Sequence, residues 1–324
     1  MKVLVLGGGG FIGRKLAEAL VRRGELRGAE ITGMTLADIR APWPLKAPYD
    51  VALEALDIAD RAATARGVAG HDVIFHLAAA VSSECEADFD LGMRANLEGT
   101  LSVLEAARQS QSASGRRPVL VYTSSIAAYG GDTPSPITDW TALNPQTSYG
   151  SQKAATELIL NDYARKGFID GRGLRLPTIS VRSGKPNGAA SSFMSSIFRE
   201  PLQGHEAVCP VEPGYEHWFL SPRRVVESII HGAEVPEEAL GMQRCFAIPG
   251  NTHRIGDMVE AMRRIAGDEP CARIRWERDP AIEAIVLGWK GRFAPEKALA
   301  LGFRADDSFE DNIRYFLEDD IQPA

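Results

Sequence analysis

A tyrosine and a lysine lie four residues apart in the stretch TSYGSQK, residues 147–153, at the predicted start of a helix. Residues i and i+4 share a helix face, so the ammonium of Lys153 is expected beside the phenol of Tyr149. A free phenol has a pKa near ~10, too high for a base at neutral pH. A unit charge ~5 Å away, at an effective dielectric constant of ~20, stabilises the phenolate by about 3 kcal/mol, or roughly two pKa units. The spacing therefore predicts a tyrosine base tuned by a lysine.

A serine upstream strengthens this interpretation. The run VYTSSIAAYG, residues 121–130, is typical of a strand that ends in Ser124 and Ser125. A parallel sheet brings the carboxyl ends of its strands to the nucleotide crevice, so Ser125 is expected near Tyr149. Taken alone, the Tyr-Lys spacing also arises by accident, as an exposed tyrosine followed by a surface lysine. The serine therefore favours catalysis.

A glycine-rich turn follows the first apolar strand, KVLVL. Gly7, Gly10 and Gly13 stand at GxxGxxG spacing, which permits a tight turn and a close approach of a pyrophosphate to the helix N-terminus. An acid, Asp38, ends the second predicted strand, where it would bind the adenosine ribose and repel a 2′-phosphate. Arg40 is either a solvated loop charge or lies over the adenine. The turn and the acid predict NAD rather than NADP.

The elements that must position these residues alternate between short β-rich runs and helical patterns. This alternation predicts βαβ units in an α/β, doubly wound parallel sheet. It loosens after about residue 178, where Gly, Pro and Ser become frequent. We expect a nucleotide-binding domain over 1–178, rejoined by about 221–250. A smaller C-terminal substrate-binding domain, or cap, is expected over about 179–220 and 251–324.

Composition limits the classes of partner. The 324 residues are 44% hydrophobic with a formal net charge of -7, which disfavours binding to nucleic acid or to a membrane surface. No apolar run approaches the ~18 residues of a membrane span. Four cysteines lie far apart without metal-ligand spacing, which favours a reducing cytoplasm and predicts neither a metal site nor disulfides. They are Cys85, Cys209, Cys245 and Cys271.

These motifs together resemble the extended short-chain dehydrogenase/reductases, the NAD-dependent epimerase/dehydratase family with a Rossmann fold. The resemblance covers nearly the whole chain and includes HLAA at 76–79, NLEGT from Asn96, SSIAAYG and KALALGF. It implies that Ser125 and Tyr149 are catalytic and that Lys153 holds the ribose and tunes the tyrosine. It also implies a homodimer paired through two long helices of each subunit. The cofactor site that it implies consists of Gly7, Gly10, Phe11, Ile12, Gly13, Asp38, Asp57, Ile58, Leu77, Ala78, Ala79, Asn96, Tyr149, Lys153 and Pro177.

Two residues near this site have competing interpretations. His76 is expected to be a packed residue at a strand end rather than a catalyst. Asn96 braces the active-site helices, positions a water near the lysine, or is a simple buried amide.

A basic segment follows the last strand of this part. No Asp or Glu occurs between Gly171 and Arg199, which indicates an anionic ligand. A guanidinium clamps a carboxylate through two parallel hydrogen bonds, so Arg182, with Lys185 as an alternative, is the expected carboxylate anchor. Arg172 and Arg199 are expected to cover the surface.

Two segments resemble one branch of the family, the D-erythronate dehydrogenases. They are LRLPTISVRSGKPN, residues 174–187, and REPLQGHEAVCPV, residues 199–211. This branch implies oxidation of a small anionic sugar acid at the carbon 2 hydroxyl. The alternatives are a nucleotide-sugar epimerase or dehydratase with tightly bound NAD, and a non-catalytic nucleotide sensor. His217 and Trp218 either line the pocket or are packed aromatics. The expected substrate contacts are Ser82, Ser125, Tyr149, Thr178, Arg182, Lys185, His217 and Trp218.

Overall fold

The computed structural model describes residues 1–184 and 190–321, which form two compact units. Unit 1 contains Met1–Ala128, Pro145–Arg175 and Val226–Ala247. Unit 2 contains the described residues of Tyr129–Asn144, Leu176–Val225 and Ile248–Ala324. The sequence pattern places 129–144 in the nucleotide-binding part, whereas this segment belongs to unit 2.

The strands of the described residues are β1 (Lys2–Leu6), β2 (Glu25–Leu26), β3 (Ala29–Glu30), β4 (Gly33–Asp38), β5 (Asp50–Ala55), β6 (Val73–His76), β7 (Val119–Ser125), β8 (Ile137–Thr138), β9 (Asp170–Leu176), β10 (Thr178–Ile179), β11 (Ala207–Cys209), β12 (Glu216–Leu220), β13 (Cys245–Ala247), β14 (Asn251–Arg254), β15 (Ile274–Trp276) and β16 (Phe293–Ala294).

The α-helices are α1 (Phe11–Arg23), α2 (Arg61–Val68), α3 (Ser82–Ala87), α4 (Phe89–Gly92), α5 (Gly99–Ser114), α6 (Ser148–Arg165), α7 (Phe193–Leu202), α8 (Pro222–Glu234), α9 (Glu237–Leu240), α10 (Ile255–Ala266), α11 (Asp268–Ala272), α12 (Pro280–Val286), α13 (Glu296–Ala300) and α14 (Phe309–Phe316). A π-helical turn, Met93–Glu98, leads into α5, and a 3₁₀ turn, Ile126–Ala128, follows β7.

A seven-stranded sheet forms the centre of unit 1, in the order β13-β9-β7-β6-β1-β4-β5. Every strand pair recorded within it is parallel, which confirms the predicted fold class. The chain builds outward from β1 through β4 and β5, and then returns to build the other side from β6. The strand order therefore reverses between β1 and β6, and ligands of such sheets bind at the carboxyl ends of the strands at this point.

The apolar sequence of β1 explains why it lies inside the sheet, between β6 and β4. Val3, Leu4, Val5 and Leu6 are all fully buried, as expected for a strand covered on both faces. On one face, Leu4 and Leu6 belong to a core cluster that also contains residues of α2, α5 and α6. The strands thus provide a rigid frame for the loops that follow them.

Unit 2 contains a three-stranded sheet in the order β10-β12-β14. Strand β10 runs parallel to β12, and β14 runs antiparallel to it. One apolar cluster includes residues of α7, α10 and α14, among them Phe198, Met258 and Phe309. Helix α14 contributes Phe309, Ile313 and Phe316 to this cluster.

Two further observations concern the cysteines and the helices. All four cysteines are buried and free. Within the two described ranges, no helix combines the length and the apolar character needed to cross a bilayer.

Candidate active site

The glycine turn after β1 has no space for side chains. Gly7 has a φ of +86°, and a Cβ there would lie 2.7 Å from the backbone nitrogen of Ala78. A Cβ on Gly13 would lie 2.0 Å from the carbonyl oxygen of Gly7. Helix α1 begins after Gly10, which has no side chain to cap the first amides. These amides are therefore available to a phosphate, and the turn fits a dinucleotide.

Asp38 lies beside this turn at the carboxyl end of β4. Its carboxylate accepts hydrogen bonds from the backbone N–H of Gly9 at 3.0 Å and of Ile39 at 2.8 Å. These two amides hold the carboxylate in place. The negative charge next to the glycine turn is the arrangement that the sequence analysis connects with NAD.

The loops after β5 and β6 carry the other residues that the resemblance assigns to the cofactor. Asp57 accepts a hydrogen bond from the amide of Ala59 at 2.9 Å, and the buried side chain of Ile58 belongs to the core. The amide of Leu77 donates to the carbonyl of Leu6 at 2.8 Å, which carries the chain from β6 alongside the glycine turn.

Tyr149 lies in the first turn of α6. Thr147 caps this helix, since its hydroxyl accepts a hydrogen bond from the amide of Gly150 at 3.0 Å. A Cβ on Gly150 would lie 2.2 Å from the carbonyl oxygen of Ala127. The start of α6 therefore packs directly against the backbone that follows Ser125. The glycine within TSYGSQK brings the tyrosine turn close to the end of β7, a contact that the sequence analysis missed.

Ser125 closes β7 with its hydroxyl half-buried. The hydroxyl oxygen accepts a hydrogen bond from the amide of Ala127 at 3.1 Å, which fixes the side chain at the start of the 3₁₀ turn. A hydroxyl can still donate while it accepts, so Ser125 keeps a proton for another oxygen.

Lys153 is buried one helical turn beyond Tyr149. Its Nζ donates to the carbonyl of Thr123 at 2.8 Å and lies 5.6 Å from the centre of the Tyr149 ring. It also lies 4.6 Å from the centre of the Tyr122 ring. Burial lowers the pKa of Lys153 to about 8, while the charge of Glu157 raises it. The lysine is thus positively charged at neutral pH, as stabilisation of a phenolate requires.

An ion pair lies one further turn along the same helix face. The Glu157 carboxylate accepts hydrogen bonds from Nε of Arg175 at 3.0 and 2.9 Å and from its Nη2 at 2.6 Å. Ser124 donates to the same carboxylate. This pair was not predicted from the sequence, although the i+4 spacing from Lys153 was a signal for Glu157.

Asn96 joins the loop after β6 to the catalytic helix. Its Oδ1 accepts from the amide of Ala80 at 2.8 Å, and its Nδ2 donates to the Ala80 carbonyl at 3.1 Å and to Gln152 Oε1 at 2.9 Å. Gln152 immediately precedes Lys153. These contacts support the bracing interpretation of Asn96.

His76 is fully buried, with Nε2 3.0 Å from the Thr100 hydroxyl, so it is a packed residue as predicted.

Thr178 and His217 are in contact within unit 2. The Thr178 hydroxyl lies 2.9 Å from Nε2 of His217. The imidazole is stacked on Tyr215, with ring centres 6.2 Å apart, and tilted 5.7 Å from the Trp289 ring. Burial lowers the pKa of His217 to about 3, so the ring is neutral at physiological pH. Thr178 has a neutral hydrogen-bonding partner.

Trp218 is on the opposite face of β12 from His217, because successive side chains of a strand alternate. Its ring centre lies 5.2 Å from that of Phe293. A Cβ on Gly250 would lie 2.9 Å from the indole Nε1 and 3.1 Å from Cγ of Pro177. Among the described residues, this buried indole N–H has no hydrogen-bond acceptor.

The remaining predicted substrate residues are distributed over both units. Ser82 is the first residue of α3 in unit 1. Arg182 is half-buried and follows β10 in unit 2. Lys185 is outside the described residues.

The expectation that Arg172 and Arg199 cover the surface is wrong. Arg172 is completely buried, and Arg199 is 4% exposed. The absence of acids between 171 and 199 also does not leave these cations unpaired. Arg172 pairs with Asp170, and Arg199 pairs with Glu200 at 2.8 Å, with both acids just outside that window.

Comparisons with known proteins agree with this geometry. Residues 3–217 match the model of the NAD-dependent epimerase/dehydratase family. The chain belongs to this family. A D-erythronate dehydrogenase from Cupriavidus necator is 47% identical over 324 residues, covering 98% of both chains. A D-erythronate dehydrogenase from Haemophilus influenzae is 40% identical over 326 residues, covering 99% of this chain and 100% of the relative.

A solved structure of a family relative has nearly the same fold. The nucleoside-diphosphate-sugar epimerase from Agrobacterium tumefaciens is 44% identical, with a TM-score of 0.96, and the match covers 99% of this chain and 94% of that chain. The family match, the dehydrogenase relatives and the glycine turn together identify the protein as an NAD-dependent oxidoreductase.

Proposed function

We propose that this protein is a D-erythronate dehydrogenase that oxidises the carbon 2 hydroxyl of the four-carbon acid. The observation that carries the proposal is full-length identity of 47% and 40% to two D-erythronate dehydrogenases.

Tyr149 acts as the base in this proposal. NAD+ supplies the acceptor for the hydride that leaves carbon 2. The Tyr149 phenolate removes the hydroxyl proton, and Ser125 donates a hydrogen bond to the same oxygen. The Lys153 ammonium, 5.6 Å from the phenol ring centre, stabilises the phenolate by charge attraction.

Arg182 is proposed to bind the substrate carboxylate through its guanidinium. Because the His217 imidazole is held neutral, it suits recognition of a hydroxyl rather than of a carboxylate. Thr178, which contacts His217, is a further candidate for a substrate hydroxyl, and Trp218 stays a prediction. Lys185 and Ser82 stay predictions.

The test is NADH formation from NAD+ with a panel of four- to six-carbon sugar acids. D-Erythronate is expected to give the highest kcat/KM, and the absence of NADH with every acid would reject the proposal. Tyr149→Phe should nearly abolish turnover while leaving NAD affinity within about twofold, because only the reacting oxygen is removed. Tyr163→Phe, the same change farther along α6, is the matched control and should keep full activity.

A nucleotide-sugar epimerase is the second candidate, because the Agrobacterium tumefaciens relative carries that description. Such an enzyme would keep NAD bound and release no NADH. A UDP-sugar that raises the melting temperature, with no such effect from D-erythronate, would favour this candidate.

We also propose a homodimer through α5 and α6. Leu158 on α6 is 70% exposed, and a groove of about 450 Å³ beside this helix is lined by Phe89, Met93 and Leu97 among others. A second copy would cover Leu158 and these apolar side chains. Light scattering should give a molar mass of twice that of one chain. Leu158→Glu should reduce the measured mass to that of a single chain.

A further inference from the structure

Side chains of α7 and α14 hold the backbone that carries Arg182. Ser180 donates from its amide to the Leu220 carbonyl at 3.1 Å and from its hydroxyl to the Met194 carbonyl at 2.7 Å. Asn312 on α14 donates to the carbonyl of Ser180 at 2.8 Å. Ser180, two residues before Arg182, is thus held by hydrogen bonds to β12, α7 and α14.

Two residues of α7 contact the backbone of Arg182 itself. The Ser195 hydroxyl accepts from the Arg182 amide at 3.3 Å and donates to the Ile179 carbonyl at 3.4 Å. One turn later, Nη1 of Arg199 donates to the carbonyl of Arg182 at 3.0 Å. Ser195 and Arg199 are four residues apart, so they share a helix face. Together they bind both the amide and the carbonyl of one residue.

Arg199 is a costly group for a purely structural purpose. A buried guanidinium loses its hydration, and its nearby counter-ion is the adjacent Glu200, 2.8 Å away. A carbonyl could be satisfied by a neutral donor, whereas a guanidinium offers a rigid planar fork anchored at two points. One side of this fork contacts Glu200 and the other contacts the Arg182 carbonyl. The backbone of Arg182 is therefore fixed relative to α7.

We propose that Arg199 and Ser195 are positioning residues that set the orientation of Arg182 for the substrate carboxylate. The inference rests on the proposed function, in which Arg182 binds that carboxylate. A bidentate guanidinium–carboxylate contact needs a defined approach angle, so a loosened backbone at 182 weakens binding of the acid without affecting hydride transfer.

The test is steady-state kinetics with D-erythronate and NAD+ on Arg199→Met, Arg199→Lys and Ser195→Ala. Arg199→Met is expected to raise KM for D-erythronate about tenfold, with kcat and KM for NAD+ within about twofold. Arg199→Lys keeps a charged donor and should recover most of the loss. Ser195→Ala should raise KM for the acid, whereas Ser196→Ala, the same change one residue along α7, should not.

A double-mutant cycle separates positioning from general damage. If Arg199 acts through Arg182, the Arg182→Met/Arg199→Met enzyme should be no worse for the acid than Arg182→Met alone. Additive losses, or equal rises in KM for the acid and for NAD+, would overturn the inference. The positioning role is also overturned if Arg182→Met raises KM but Arg199→Met and Ser195→Ala leave it unchanged, and the proposed function then stands. If Arg182→Met itself has no effect, the carboxylate assignment fails with it.

Discussion

Neutralising Glu157 should destabilise the protein strongly. The side chains of Glu157 and Arg175 are 2% and 7% exposed, and three N–O contacts between 2.6 and 3.0 Å join them. Glu157→Gln leaves a buried guanidinium without its counter-ion, which typically costs about 3–5 kcal/mol. Replacing both partners with methionine removes the uncompensated charge, so the double variant should recover most of this loss.

Urea unfolding followed by circular dichroism measures these free energies of unfolding. The matched control is Asp162→Asn, because Asp162 pairs with Arg165 at 2.6 Å on the same helix but both side chains are more than half exposed. This control should change stability by less than about 1 kcal/mol. A loss below about 1 kcal/mol in Glu157→Gln, or a double variant no more stable than the single one, would refute the reasoning.

Three further outcomes are expected. Gly13→Ala should abolish NAD binding in calorimetry, because its Cβ would lie 2.0 Å from a backbone oxygen, and retained affinity would contradict the close-packed turn. Burial lowers the pKa of both His76 and His217 to about 3, so between pH ~6.5 and about 3 the unfolded chain binds more protons than the folded one. As the pH is lowered through this range, the free energy of unfolding should decrease by about 1.4 kcal/mol per pH unit for each histidine. His217→Phe should reduce this slope in urea titrations. Arg172→Met should cost at least about 2 kcal/mol in the same assay because the buried carbonyls of Gly232 and Val235 lose their guanidinium donor, at about 1–3 kcal/mol each, whereas the exposed Arg116→Met should cost less than about 1 kcal/mol, and similar losses would show that burial does not decide the effect.

The parts of the fold that local patterns determine could be predicted from the sequence. The apolar run of β1, the glycine turn and the helix after it are encoded within 23 residues. The Tyr149–Lys153 pair could be placed on one helix face because the helix period fixes it. Asp38 could be placed at a strand end because the strand and the turn after it are adjacent in the chain.

Long-range partners could not be predicted in this way. The acid-free stretch appeared to carry free cations, but Arg175 reaches Glu157 eighteen positions earlier. Arg172 reaches the carbonyls of Gly232 at 2.9 Å and of Val235 at 2.8 Å, some sixty positions later. A count of charged residues within one stretch of sequence does not include ion-pair and hydrogen-bond partners that are distant in the chain and that the fold brings close. The close approach at Gly150 was hidden similarly, since nothing local distinguishes it from an ordinary helical glycine.

The chain passes between the two units at five points, after residues 128, 144, 175, 225 and 247. Neither unit is therefore a contiguous gene segment that could be cut out, expressed alone or exchanged with a relative by a single crossover. Each unit therefore has to be altered by substitutions within an otherwise intact chain.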